Sequence, residues 1–370
     1  MSYRIPVARP LFIGNEKLYV DDCMESGWIS SAGKYITYFE EKFADYCGVK
    51  HAITCCNGTL ALHLALLALG VTAGDEVIVP TLTFIATPNS VVYCGAEPIF
   101  VDSELGTWNI DPLAVEEKIT PRTKGIIAVH LYGHPADMYE LRKIAERNGI
   151  FLLEDAAEAV GATCEGGLVG SLGDAAAFSF YGNKIITTGE GGMVVTNDDP
   201  TAERARLLRD QGMDSNRRYW HPVVGYNYRM TNLAAAVGLA QLESINKHVE
   251  MRLCIAKSYR KNLNGVIGIQ FQPEQVWARH VFWMFSIILD PSSWPNRDVV
   301  MNRLSAQGIE TRPVFYPAHT MPPYQKSDGK QRFPVAESLS VNGISLPTWS
   351  GMTENDIQYV CAAVIESRNV

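Results

Sequence analysis

The sequence predicts an α/β protein: a large domain on a mixed, mostly parallel sheet, followed by a smaller α+β domain. Two observations carry this. Between about residues 50 and 200, short apolar or β-branched runs alternate with helical patterns. After about residue 240 that rhythm stops, and prolines cluster between 313 and 323. At 370 residues the chain exceeds one average domain. The expected division is 1–240 and 241–370, with the boundary inside a long connecting helix.

Seven strands are expected in the large sheet, at 52–55, 76–79, 98–101, 125–131, 150–154, 175–180 and 192–196. Several are almost uniformly apolar, the pattern of strands covered by helices on both faces. Between them, Asp137 can cap a helix over 138–148 and Gly149 can close it. The run 59–69 follows Asn57-Gly58 and is apolar on nearly all sides, so it should be interior. Beyond the sheet, one long helix is expected over 232–263, a strand over 284–289 and a helix over 297–307. Residues 325–331, with Lys326, Ser327, Asp328, Gly329 and Lys330, read as a polar exposed loop.

Composition narrows the function. The hydrophobic fraction of 47% and charged fraction of 19% are those of a globular protein rather than a disordered one. With 32 basic and 40 acidic residues the net charge is −8, which argues against general nucleic-acid binding but leaves room for a local phosphate pocket. The opening residues contain no apolar run of the kind an export signal needs. The longest apolar stretch, 60–71, is interrupted by His63 and too short to span a bilayer. Eight cysteines lack metal-ligand spacing, and Cys55-Cys56 are adjacent, so reduced thiols, no metal and a cytoplasmic location are expected. No G-x-x-x-x-G-K-[ST] occurs, which disfavours a P-loop hydrolase.

Two segments carry chemistry. The run from Phe151 ends in Glu154-Asp155, placing a carboxylate where open α/β sheets form their ligand crevice. The apolar run 175–180 then delivers Lys184 into a loop continuing Thr187-Thr188-Gly189-Glu190-Gly191-Gly192. A lone lysine is ordinarily a solvated charge, but glycines let backbone approach a ligand, and a partly desolvated amine is a better nucleophile. An acid that keeps a pyridine nitrogen protonated, with a lysine able to form a Schiff base, meets the requirements of pyridoxal 5'-phosphate (PLP) chemistry. Asn57-Gly58-Thr59 opens a helix whose free N–H groups attract phosphate, and Ser179 could add a hydroxyl. Phe84 could lie flat on an aromatic cofactor. Plainer readings stand beside these: a helix cap for Asp155, an ordinary turn at Asn57, a core ring for Phe84.

Together, Asn57-Gly58-Thr59, the segment Pro80 to Phe84, Glu154 to Glu158, Ser179-Phe180, Lys184 with 187–192, and Gly225 to Met230 resemble the DegT/DnrJ/EryC1/StrS sugar-nucleotide aminotransferases. The resemblance runs from Pro6 to the C-terminal helix. It implies the type I PLP-dependent (aspartate aminotransferase-like) fold and a homodimer with shared active sites. It also implies that Gly58, Thr59 and Ser179 hold the cofactor phosphate, Phe84 stacks on the ring and Asp155 pairs with its nitrogen. Glu158, where many relatives carry glutamine, would contact the ring hydroxyl, and Asn227 would reach the phosphate across the dimer interface. Lys184 implies amino transfer, because dehydratase relatives carry histidine there.

A closer match within the family is carried by Trp28 to Ser31, His130 to Pro135, Tyr219-Trp220-His221 and the segment 311–321. It implies transfer of the L-glutamate amino group, by way of pyridoxamine phosphate, to C4 of GDP-4-keto-6-deoxy-D-mannose in deoxyamino-sugar (O-antigen, lipopolysaccharide) synthesis. Arg229, Tyr316 and His319 are then candidates for the nucleotide-sugar substrate, each with a structural alternative. His130 and His134 read as structural. Two rivals stay open: an enzyme on the same scaffold acting on a UDP- or dTDP-sugar, and a non-catalytic regulatory protein. The pair Asp155 and Lys184 argues against the second.

Overall fold

The computed structural model describes residues 3–325 and 331–368. Two helices lead in, α1 (Glu16–Ser26) and α2 (Lys34–Cys47). The alternating region follows as β1 (His51–Cys55), α3 (Gly58–Ala68), β2 (Glu76–Pro80), α4 (Ala86–Tyr93), β3 (Glu97–Val101), α5 (Pro112–Glu116), β4 (Thr123–Val129), α6 (Met138–Asn148) and β5 (Phe151–Asp155). A small hairpin, β6 (Thr163–Cys164) and β7 (Gly167–Leu168), precedes β8 (Ala175–Ser179), β9 (Gly192–Thr196) and α7 (Asp199–Arg209).

The seven long strands form one sheet in the order β1-β9-β8-β5-β4-β2-β3. Only β9 runs against the rest, pairing antiparallel with β1 and β8. Strands β2, β8 and β9 are buried along their whole length, as their apolar sequences require. Helix α3 is interior as expected, and α6 is capped as expected: Asp137 accepts the Glu140 N–H at 3.0 Å and Gly149 closes with φ 61°. The strand expected over 125–131 instead ends at Val129, because the chain turns at Tyr132, whose φ is 57°.

The expected single helix over 232–263 is two: α8 (Asn232–Glu243) and α9 (Ile245–Leu263), broken at Ser244 with φ −107° and ψ 9°. The break has a packing cause. Helix α8 lies on α1 and α2 beside the large sheet, whereas α9 lies on α12 (Glu354–Glu366) against the second core. The elements between are β10 (Ile269–Phe271), β11 (Ala278–Arg279), β12 (Phe285–Leu289), α10 (Arg297–Ala306), β13 (Arg312–Pro313), α11 (Pro334–Asn342) and β14 (Gly343–Leu346). Four of them form an antiparallel sheet, β10-β12-β14-β13, while β11 joins the β6-β7 hairpin. Ile5 bridges to Ile309 and belongs to this second core, so under the proposed division near residue 240 the start of the chain packs with the smaller part. The expected loop residues Lys326 to Lys330 lie outside the described residues.

Strand direction positions the site. Strands β1, β2, β4, β5 and β8 share one direction, so Cys55, Pro80, Val129, Asp155 and Ser179 all end at one edge of the sheet. Strand β9 starts there, its Gly192 paired with both Cys55 and Ser179.

Candidate active site

At that edge lies a cavity of about 430 Å³ lined by Gly58, Thr59, Phe84, Asp155, Glu158, Ser179 and Lys184, among others. Asn57 caps α3, accepting the Leu60 N–H at 2.9 Å. The start of α3 presses onto the end of β8 so closely that a Cβ on Gly58 would sit 2.6 Å from the Ser179 Cβ. A Cβ on Gly192 would overlap the Asn57 carbonyl. These two glycines therefore allow a helix N-terminus, with its unpaired N–H groups, to sit beside a serine hydroxyl. That donor set suits a phosphate.

Asp155, buried, closes β5. Its Oδ2 accepts the Thr87 hydroxyl at 2.7 Å and its Oδ1 the Ala157 N–H at 3.2 Å. The Thr87 hydroxyl is in turn 2.9 Å from that of Thr83. Burial pushes the Asp155 carboxyl above its ordinary range, opposed by the Thr87 and Ala157 hydrogen bonds and by the charge of Lys184. Among the described residues no cation forms an ion pair with this carboxylate, and a protonated ring nitrogen would supply one.

Lys184 reaches the same space from the loop after β8. The loop is shaped by Thr187, whose hydroxyl donates to the Phe180 carbonyl at 2.9 Å, and by the Thr188 N–H, which donates to the same carbonyl. The Lys184 Nζ is 3.8 Å from Glu158 Oε1 and 3.9 Å from the centre of the Trp283 ring. Burial lowers the lysine pKa and raises that of Glu158, each against the attraction of the other. Glu158 is held by the Tyr132 N–H, which donates to its Oε2 at 2.7 Å. Burial thus favours the neutral amine that a Schiff-base lysine requires.

Four expected site residues lie elsewhere in this chain. Asn227 is exposed, on an isolated bridge to Asp210. Arg229 donates to the Ser31 hydroxyl at 3.2 Å and lies 3.8 Å from Asp210, so its contacts here are structural. Tyr316 and His319 line a neighbouring cavity of about 560 Å³ together with Arg297 and Arg332. There His319 bonds the Thr81 hydroxyl at 2.7 Å and Glu337 at 3.3 Å, and burial lowers its pKa. Phe84 is 55% exposed, its ring 5.9 Å from that of Phe315, leaving a face free for a flat ligand. His130 and His134 are buried. The first bonds Glu154 at 3.0 Å; the second is pushed down to about 4 by burial.

The structure adds residues that sequence reasoning missed. Thr87 follows the Pro80 to Phe84 motif but offers no sign of its carboxylate partner. Arg312 lies in the 311–321 segment, and with Lys184 it supplies the cations of the cavity lining. Trp283 carried no signal at all, since its indole donor meets the Asn183 carbonyl 100 positions away. Among the described residues no group of three or more potential metal ligands occurs, and no helix is long and apolar enough to cross a membrane.

Comparison with known proteins bears on this geometry. The pattern of the DegT/DnrJ/EryC1/StrS aminotransferase family matches residues 12–365. The chain is 54% identical over 362 residues to the GDP-perosamine synthase of Caulobacter vibrioides, covering 98% of this chain and 97% of that one. It is 49% identical to the GDP-perosamine synthase of Escherichia coli O157:H7, over 99% of each. The crystal structure of DesI in the presence of its TDP-sugar product superposes with TM-score 0.90 at 33% identity, covering 99% of this chain and 92% of DesI. The type I PLP-transferase fold expected from the motifs is thus the fold observed, and the chain belongs to the DegT/DnrJ/EryC1/StrS aminotransferase family.

Proposed function

We infer that the chain is a PLP-dependent nucleotide-sugar aminotransferase. It moves the amino group of L-glutamate to C4 of GDP-4-keto-6-deoxy-D-mannose, producing GDP-perosamine and 2-oxoglutarate. One observation carries the reading: Lys184 and Asp155, from separate segments, meet in a single cavity beside a helix N-terminus. The likeness to two GDP-perosamine synthases over nearly the full chain supports the sugar.

When bound, PLP supplies the aldehyde that captures an amine and a ring that draws electrons from the adjacent carbon. The residues divide the remaining work. Gly58, Thr59 and Ser179 hold the phosphate, and Phe84 covers one face of the ring. Asp155 pairs with the protonated ring nitrogen, with Thr87 fixing the orientation of its carboxylate. Glu158 contacts the ring hydroxyl. Lys184 anchors the cofactor, takes a proton from the α-carbon of the donor, and in the second half of the cycle moves a proton back.

Asn227 is assigned to a partner's phosphate in a homodimer. Its exposure supports this, as does the apolar surface beside it, where Tyr219, Trp220 and Val224 are exposed. The eight free cysteines support work in a reducing cytoplasm. The solved DesI with its TDP-sugar product keeps a second reading in view, that of another nucleotide-linked keto sugar.

The test is a panel of GDP-, UDP- and dTDP-linked keto sugars with glutamate, read by mass spectrometry. Conversion of the GDP-linked sugar is the expected result, and conversion of only the others would overturn the substrate. Lys184→Ala should remove the visible absorbance of bound cofactor and all turnover while the chain stays folded. Asp155→Ala should cripple turnover even when PLP is loaded. Failure to form pyridoxamine phosphate with any amino donor would point to a non-catalytic protein.

A further inference from the structure

Trp283 is held through both its side chain and its backbone. Its ring N–H donates to the carbonyl of Asn183, the residue before Lys184, at 2.8 Å. Its own carbonyl accepts from Arg252 of α9 at 2.9 Å, and the same guanidinium nitrogen holds the Thr348 carbonyl at 2.9 Å. Arg252 is buried and, among the described residues, bonds these carbonyls and no carboxylate, so its charge serves the backbone around Trp283. The ring lies roughly parallel to Tyr132, at 16°, and beside Phe315. Trp283 is only 4% exposed, and its face is turned to the Lys184 Nζ at 3.9 Å.

We propose that Trp283 is a positioning residue for Lys184, its indole face holding the side-chain ammonium that exists whenever the lysine is free of the cofactor and carries a proton. The proposal rests on the aminotransferase reading above. In that cycle a C–H bond at the donor's α-carbon breaks, the proton passes to the Lys184 Nζ, and the electron pair is drawn toward the cofactor ring. The ammonium so formed must wait in a buried site that disfavours it. An aromatic face within about 6 Å offsets part of that penalty, and Trp is the strongest such face. Glu158 also faces the amine at 3.8 Å, Asp155 adds a second negative charge and Arg312 an opposing positive one. The carboxylates attract the proton. The indole fixes where it is kept.

The test uses the full-length, cofactor-free protein. Trace acetylation over a pH series, read by mass spectrometry of the Lys184 peptide, gives the pKa of that amine. Trp283→Leu should lower it by about one unit, a tenfold shift in protonation, and Trp283→Phe should lower it by less. A ring that merely keeps water out predicts the opposite sign, because admitting water relieves burial. An unchanged or raised pKa in the folded variants overturns the proposal. If Trp283→Leu fails to fold by circular dichroism, the sign of the Trp283→Phe shift decides. Conversion of PLP to pyridoxamine phosphate by the wild-type enzyme with glutamate is scored separately. Its failure would sink the aminotransferase reading, whatever the labelling shows.

Discussion

The Thr87 hydroxyl donates to Asp155 Oδ2 at 2.7 Å, joining residues 68 positions apart at the carboxyl edge of the sheet. The contact does two things at once. It orients a buried carboxylate toward the cavity and favours its ionised form against burial. Thr87→Val keeps the shape and removes the donor. A hydrogen bond to a charged group contributes about 1.5–3 kcal/mol, so turnover should fall on the order of tenfold or more, with Thr87→Ser restoring most of it. Steady-state rates with glutamate and the keto sugar check this; an unaltered Thr87→Val rate would show that Asp155 needs no such support.

Glu158 gives a prediction about pH. Burial raises its pKa in the folded chain, so the folded state keeps the proton to higher pH than the unfolded chain does. The unfolded chain therefore binds fewer protons, and unfolding free energy declines as pH rises through and above the ordinary glutamate range. Glu158→Gln removes that dependence while Tyr132 keeps an acceptor for its N–H. In the cofactor-free protein, urea unfolding should show the variant gaining on wild type from pH 5 to pH 8. A constant difference across that range would refute the assignment.

At Gly58 the test is steric. A Cβ there would stand 2.6 Å from the Ser179 Cβ, between a helix start and a strand end that are both fixed. Overpacking of this kind costs about 1–3 kcal/mol. Gly58→Ala should lower thermal stability and weaken PLP binding by roughly tenfold or more, both measurable by titration and calorimetry. Normal PLP affinity in this variant would remove Gly58 from the phosphate site.

Arg312 faces the cavity from β13 and makes no ion pair among the described residues. Both proposed substrates are anionic, and a planar guanidinium suits carboxylate or diphosphate oxygens. Arg312→Gln should raise the KM of glutamate or of the nucleotide sugar about tenfold or more, and Arg312→Lys by less. Half-reaction rates tell which substrate it serves. No change in either KM would exclude the contact.

What the sequence determined by itself was whatever has a local signature. The alternation of apolar runs and helices implied the sheet and its seven strands. Asp137 and Gly149 marked the ends of α6, Asp155 and Ser179 stand at the ends of apolar strands, and Lys184 stood out as a lone lysine in the glycine- and threonine-rich loop between β8 and β9. Only the tertiary structure decided the rest. Ser244 breaks a continuous helical pattern because its two halves serve different cores. Thr87 meets Asp155, and Trp283 meets Lys184, because strand order and the packing of the second sheet fold distant segments onto one edge. Arg229 and His319, plausible as ligand groups on residue type, find partners of their own in this chain. Periodicity records how each segment meets its own neighbours, whereas these contacts arise from burial shared between segments 68 to 100 positions apart, which no local pattern encodes.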